Sequence, residues 1–393
     1  MSGSTFASAV STPRARATAH VAINGRFLAA SHPTGTHRSA LQFTRGLLAR
    51  CGDDLELTLH APCTRAEACE RIGVADLPCA FVETSVRGRA ALHGWEQTTW
   101  PRRQPGAVHL NLLNTASVVP GRTRQVTIVH DLSSVRRGSP HSLAFRMMAR
   151  VNIAGGARRS TRVVCFSRHV AGELRRLLGV SDHRIRIVRQ GAGFAPTRAP
   201  ETTATAAARA SGTPYLLAVG SLQPHKNLRG VLEAFSLLRA ESGDERLRLV
   251  VTGAAQKGYR RQELSLDRPG VVATGYVSDG ELERLYRGAL GLVYPSFEEG
   301  FGLPVVEAFQ CRCPVITSDR SSLPEIAGDA ALLVDPARVE SIRDAMRRVV
   351  GEPDLRAALI ERGARRAEHF GWEAAVDDLV RVLREFEGET TEG

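Results

Sequence analysis

Short apolar runs alternate with amphipathic stretches along most of the chain. VAIN (from Val21), LELTLH (from Leu55), AVHLNLL (from Ala107), QVTIVH (from Gln125), RVVCF (from Arg162) and RIRIV (from Arg184) read as buried strands, with segments such as RSALQFTRGLLAR between them. The pattern resumes with YLLAVG, RLRLVVTG, VVATG, GLVYP and CPVIT. Buried strands separated by helices predict parallel sheets covered on both faces. Between the two series lies PTRAPETTATAAARASG (Pro196 to Gly212), rich in Pro, Thr and Ala and poor in large apolar residues, which reads as a linker. The expected fold is therefore α/β, two Rossmann-like domains in series with an interdomain cleft. The first domain spans 20–195, the linker 196–212 and the second domain 213–370, with residues 1–19 a disordered tail. The final segment, 371–393, opens with GWEAAVDDLVRVLREF, whose Trp372, Val376, Leu379, Val380 and Leu383 fall on one side of a helix. Ligands of such sheets sit beyond the carboxyl ends of the strands, so the chemistry is sought just after them.

Composition narrows this picture. At 393 residues, 43% hydrophobic and 24% charged, the chain is an ordinary globular one with length for two domains. It has no apolar run of about eighteen residues, and MSGSTFASAVSTPRARATA lacks the apolar centre of a secretory leader. A cytoplasmic location is expected. Seven scattered cysteines, Cys311 and Cys313 among them, do not form a disulfide framework or a metal-ligand spacing, so reduced thiols and no metal are expected. Charge is divided: residues 1–200 carry 28 Arg and Lys against 11 Asp and Glu, and residues 201–393 carry 24 against 30. The basic first half suggests an anionic partner such as a phosphorylated or lipid-linked acceptor, or an anionic membrane surface. Nucleic acid is not expected, because aromatic residues are not interleaved with the basic ones. The arginine pairs Arg102–Arg103, Arg136–Arg137 and Arg158–Arg159 read first as solvated faces.

The strongest local signal is LVYPSFEEGFGLPVVEAFQ, from Leu292. A strand runs into a loop containing Glu298, Glu299, Gly300, Phe301 and Gly302, and Pro304 stands where the first turn of a helix accepts it. The two glycines let backbone approach a ligand, and free amides at the helix start suit a diphosphate. Glu307, on the same helix, can accept two hydroxyl hydrogen bonds, as a ribose diol requires. An acidic helix start without a ligand accounts for one glutamate, not for the whole string. A second such loop is VGSLQPHKNL, from Val219, where Lys226 opposes the dipole of the helix it begins, which a bound diphosphate would explain. In the first half, PTGTHR puts Gly35 before a helix, and TIVHDLSS ends a strand with His130 and Asp131. Trp95 and Trp100, with Glu96 and Gln97, make either a sugar platform or part of a core.

EEGFGLPVVEA, PVITSDRSSLPEIAGDAALLVDP, VGSLQPHKNLRGVLEAF and VVATGYVSDGELERLYRGA together resemble the C-terminal domain of glycosyltransferase family 4, retaining enzymes of the GT-B fold. INGRF, TGTHRSA, HGWEQTTWP and TIVHDLSS are similar to a bacterial branch that builds surface polysaccharides by mannosyl or rhamnosyl transfer. The resemblance implies that Glu299 contacts the donor sugar, that Glu307 holds the ribose, and that amides of Gly300, Phe301, Gly302 and Leu303 cradle sugar and phosphate. It further implies a diphosphate contact for Lys226, an approach of Gly35 from across the cleft, an active-site role for His130 beside the donor sugar, and a C-terminal helix that crosses back to the first domain. Many members carry arginine where this chain has Ser221, so one fixed charge is missing there and His225 is the neighbouring candidate to replace it. Asp131 either orients His130 or binds acceptor, and Glu298 is the spare acid of a solvated loop.

The activity implied is transfer of a hexose, mannose or similar, from a nucleotide-diphosphate sugar, with GDP-mannose leading, to a saccharide or lipid-linked acceptor. The nucleotide sugar is a co-substrate and no cofactor or metal is required. Peripheral contact with the inner face of the cell membrane fits the basic first domain. An epimerase or phosphorylase on the same fold, or a non-catalytic transferase-like subunit, are the alternatives.

Overall fold

The structure, a computed structural model, describes residues 19–386 apart from 31–33, 53–54, 87, 120–122, 137–146, 194–212, 221–222 and 254–264. Ser221, the linker and the greater part of the N-terminal tail lie outside the described residues.

Seven strands form the first sheet: β1 (Ala19–Asn24), β2 (Leu55–Ala61), β3 (Ala80–Glu83), β4 (Val108–Asn111), β5 (Arg124–Ile128), β6 (Arg162–Cys165) and β7 (Ile185–Ile187), in the order β3-β2-β1-β4-β5-β6-β7. Six form the second: β8 (Tyr215–Val219), β9 (Arg248–Thr252), β10 (Val271–Gly275), β11 (Gly291–Tyr294), β12 (Val315–Ser318) and β13 (Ala331–Val334), in the order β10-β9-β8-β11-β12-β13. Every pairing is parallel, as in Val21 beside Leu57 and Leu292 beside Val315. Each chain reversal of strand order opens a crevice at the carboxyl ends of the central strands. In the first sheet that places Asn24, Asn111 and the turn after β5 together; in the second, the turns after β8 and β11.

Two strands have no counterpart in the sequence reading, β3 and β13, and each is an edge. An edge strand is covered on fewer sides; AFVE of β3 exposes both its end residues, so no continuous apolar run marks it.

The domains share a core. Phe43 stacks on Phe166 with ring centres 5.8 Å apart, Phe301 meets Phe166 at 6.4 Å and Phe370 at 5.7 Å, and Trp372 meets Phe43 edge-on at 5.3 Å. The helix Trp372–Arg384 lies against the helix Gly35–Leu48 closely enough that a side chain at Gly46 would collide with Val376. Ion pairs continue the seam, Arg50 with Asp377 at 2.6 Å and Arg189 with Asp378 at 2.7 Å. Among the described residues no helix is long and apolar enough to cross a membrane.

Candidate active site

Tyr294 ends β11, and the chain then turns through Glu298–Gly302 into the helix Leu303–Gln310. Gly302 makes this turn possible: its φ of 109° belongs to the region that side chains avoid, and Leu323 fills the space where a Cβ would stand. Pro304 occupies the first turn, where its missing N–H costs nothing. The neighbouring loop after β8 is pinned to this one. Asn227, at φ 57°, donates to the carbonyls of Pro295 (3.2 Å) and Pro336 (2.7 Å), and Phe297 N–H donates to the His225 carbonyl at 2.8 Å.

These constraints bring Lys226 to Glu299. The ammonium donates to Glu299 Oε1 at 2.6 Å and to the Tyr294 hydroxyl at 2.8 Å, and that hydroxyl donates to the same carboxylate oxygen at 2.6 Å. Burial works against both ions. The attraction between them prevails, leaving Glu299 below its ordinary value, with His225 adding to the effect, and Lys226 above its own. Glu299 is an ionised acceptor and Lys226 a permanent cation.

Glu307, in the second turn of the helix that follows, is 2% exposed. Its Oε2 accepts from the Tyr286 hydroxyl at 3.2 Å and its Oε1 from Arg38 at 3.2 Å. Arg38 belongs to the first domain, one turn after Gly35, and lies 3.4 Å from Asp279 as well. Burial raises the Glu307 carboxyl above its ordinary value, and Arg38 and Tyr286 offset only part of that. Beside this bridge lies a cavity of about 220 Å³ between the domains, lined by Arg38, Ser39, Gln42, Asp279 and Leu303 among others.

His130 stands across the cleft from the Glu299 loop. The two backbones are so close that a Cβ on Gly300 would fall 1.7 Å from the His130 carbonyl oxygen, and Ser167 Oγ donates to the Gly300 carbonyl at 2.7 Å. The His130 ring is buried with Nε2 2.9 Å from the Leu112 carbonyl. A carbonyl only accepts, so the proton is on Nε2 and Nδ1 is left as an acceptor. Burial lowers the imidazole below its ordinary value and keeps it neutral.

Several expectations change. Asp131 does not touch the His130 ring: its carboxylate accepts from Ser133 N–H (2.9 Å) and hydroxyl (2.6 Å), closing its own turn. Glu298 is not solvated; it pairs with Arg136 at 2.5 Å and His169 at 2.8 Å, tying the loop to the first domain, so Arg136 is not a solvated face either. His169, Glu173 and Glu298 lie close enough to hold a cation, but Arg136 already occupies the space against both carboxylates. Phe301 puts its ring into the shared aromatic core, so only its backbone faces the loop. Trp95 and Trp100 are core residues, the second fully buried against His60 and His109, and Glu96 is buried with Arg26 at 2.5 Å. Gly35 has open space around it, so local packing does not explain why this position is glycine.

Arg38, Tyr286 and Tyr294 were not singled out from sequence, although each lies in a string that was. Arg38 follows Gly35 by one turn on the helix whose start faces the cleft, and Tyr294 is the last residue of the strand that delivers Glu299. Tyr286 carries no local mark, since on an amphipathic helix it reads as core.

A two-domain α/β architecture with its polar groups converging on the cleft is the GT-B fold. Anabaena HepE in complex with UDP-glucose superposes with a TM-score of 0.69 at 14% identity, over 93% of this chain and 99% of that one. Residues 201–366 match the family described as Glycosyl transferases group 1. The O-antigen chain mannosyltransferase B of Escherichia coli is 38% identical over 176 residues, 43% of this chain and 45% of that protein. This chain thus spans under half the length of that relative. The D-inositol 3-phosphate glycosyltransferase of Rhodococcus jostii is 29% identical over 346 residues, covering 80% of this chain and 73% of that protein.

Proposed function

We propose that the chain is a retaining glycosyltransferase of family 4 that moves a hexosyl group, mannosyl foremost, from a nucleotide-diphosphate sugar such as GDP-mannose to a saccharide or lipid-linked acceptor in surface polysaccharide synthesis. The observation that carries this reading is the charge-compensated Lys226–Glu299 pair at the mouth of β11, with Glu307 on the helix that follows and His130 opposite. Glu299 accepts hydrogen bonds from the sugar hydroxyls, Glu307 exchanges Arg38 for the ribose hydroxyls, and the neutral Nδ1 of His130 accepts from the sugar on its other side. The amides of Gly300 to Leu303 and, across the cleft, the helix start at Gly35 approach the diphosphate. His225, which acts electrostatically on Glu299, is the candidate to replace the arginine that many family members carry where this chain has Ser221.

In the transfer step the bond from the anomeric carbon to the diphosphate oxygen breaks while the acceptor oxygen bonds that carbon on the same face. The acceptor's proton passes to the departing phosphate. Lys226 and the helix amides stabilise the growing charge on the leaving group, and the reading calls for no metal. Closed domains exclude water and so limit hydrolysis of the donor. The mannosyl preference draws on the E. coli relative; the UDP-glucose bound by HepE keeps uridine donors in the test panel.

The test is a thermal-shift panel of GDP-mannose, UDP-glucose, UDP-N-acetylglucosamine and dTDP-rhamnose on wild type and Glu307→Ala, followed by assay of nucleoside diphosphate release. A ligand of the folded state must raise the midpoint. One donor stabilising wild type but not the variant, and diphosphate release only with acceptor, is the expected result. Epimerised donor without release would make the chain an epimerase, and no stabilisation by any donor would leave a non-catalytic subunit.

A further inference from the structure

Between Asp131 and Glu173 the chain carries eight arginines and no acidic residue. Preference for arginine over lysine decides which cation is used; it does not remove acids, so the segregation has another cause. Three of these arginines, Arg136, Arg150 and Arg158, join Arg176 from the next helix around one open groove of about 620 Å³ floored by Val135 and Leu178. Arg150 Nε donates to the Val135 carbonyl at 3.3 Å and Arg158 Nε to the Leu178 carbonyl at 2.8 Å. Both guanidinium groups are therefore oriented, and among the described residues no carboxylate neutralises them. Two carboxylates, Glu173 and Glu298, face Arg136, and among the described residues Arg176 reaches Glu173 alone, at 3.5 Å. The groove keeps a surplus of positive charge.

Beside it, the helical stretch running into the π turn Arg150–Ala154 exposes Met147 (69%), Met148 (51%) and Val151 (59%), while Ala149, Asn152 and Ile153 on its other side are buried. Large apolar side chains in a segment that carries arginine and no acid, beside a groove with surplus positive charge, have the composition of an interfacial face.

We propose that the groove and this face dock on the phosphate headgroups of an anionic lipid bilayer. The forked guanidinium groups take phosphate oxygens in pairs, and Met147, Met148 and Val151 enter the boundary of the acyl region. Arg136 also holds Glu298, the residue before Glu299, so the docked face lies directly against the loop of the candidate active site and would present a lipid-anchored acceptor to the cleft. That consequence rests on the transferase reading; the docking itself does not.

Sedimentation with vesicles of phosphatidylcholine alone, or with about 30 mol% phosphatidylglycerol, tests it at low salt. Wild type is expected to bind the anionic vesicles only. Arg150→Gln/Arg158→Gln/Arg176→Gln should lower the partition coefficient about tenfold or more, whereas Arg347→Gln/Arg348→Gln on the second domain should change it less than about twofold. Met147→Ser/Met148→Ser/Val151→Ser, which removes only exposed side chains, should lower it about fivefold with an unchanged melting midpoint. Absence of wild-type binding, or equal losses in the groove and second-domain variants, overturns the proposal. Inorganic pyrophosphate that raises the midpoint of wild type but not of the groove variant, without vesicle binding, overturns it in favour of a soluble phosphate. No donor or acceptor is needed, so failure here leaves the transfer reading intact.

Discussion

Arg38 and Glu307 lie 269 positions apart in sequence and meet across the domain cleft at 3.2 Å, a cation of the first domain held on a buried carboxylate of the second. On the proposed reading this carboxylate is the ribose acceptor, so Arg38 stands where the donor must bind. Arg38→Met leaves Glu307 with Tyr286 alone, and the ribose hydroxyls then replace a missing partner instead of displacing a present one. A hydrogen bond to a charged group contributes about 1.5–3 kcal/mol, so nucleoside diphosphate should bind about tenfold tighter to the variant. Isothermal titration calorimetry measures it. Weaker binding would make Arg38 a ligand of the donor rather than its competitor.

The same pair sets a pH dependence. Burial holds Glu307 above its ordinary value of 4.5, so this carboxyl binds a proton more readily in the folded protein than in the unfolded chain. Its effect on folding is most favourable at low pH and is lost as pH rises through the folded value. Ligand binding runs the other way, because hydroxyl donors need the ionised acceptor. Nucleotide affinity should therefore fall on acidification at a pH above 4.5, and in Arg38→Met the fall should begin at higher pH still, since the cation that opposes protonation is gone. Titrations from about pH 8 to pH 5 at fixed ionic strength test the direction.

Lys226 and Glu299 should behave as a unit. Breaking a buried ion pair from one side destabilises by about 3–5 kcal/mol, because the remaining charge stays desolvated. Lys226→Met and Glu299→Gln are each expected to lower the denaturant midpoint, and the double variant to be more stable than the sum of the single losses predicts. Glu299 lies below its ordinary value, so its stabilisation is present above the unfolded value and disappears as pH falls through the folded one. Additive losses in the cycle would mean that the 2.6 Å contact contributes little.

Glu299 and Lys226 stand out in the sequence because each follows a strand in a loop punctuated by Gly or Pro, Glu307 because it lies on the helix that Pro304 opens, and His130 because it closes a strand, and strand ends are where such folds place ligands. The two-sheet α/β architecture was legible for a related reason, since central parallel strands are buried on both faces and read as continuous apolar runs. What was not legible depends on distant partners. Glu298 looks like a loop acid until Arg136 and His169 arrive from the first domain; Asp131 is the local exception, its carboxylate taken by Ser133 two positions on rather than by His130. Arg38 has only its place one turn after Gly35 to mark it; in a chain so rich in arginine, the cleft is what distinguishes it from a surface cation.

Gly300 tests whether the closed arrangement is needed for transfer. Its position admits no side chain, since an added Cβ would lie 1.7 Å from the His130 carbonyl oxygen and 3.1 Å from Asp131 Cβ. Gly300→Ala must therefore hold the Glu299 loop away from the first domain by an ångström or more, without disturbing the Lys226 contact within the second. Misplacement on that scale can cost about a hundredfold in rate. The variant should keep nucleotide affinity to within about threefold while kcat falls about a hundredfold, because Glu299, Glu307 and Lys226 all belong to one domain and the His130 contact does not. Calorimetry and single-turnover transfer on the same preparation separate the two effects. Equal losses of affinity and rate would show that the loop itself had collapsed, and an unchanged rate would remove His130 and the domain closure from the mechanism.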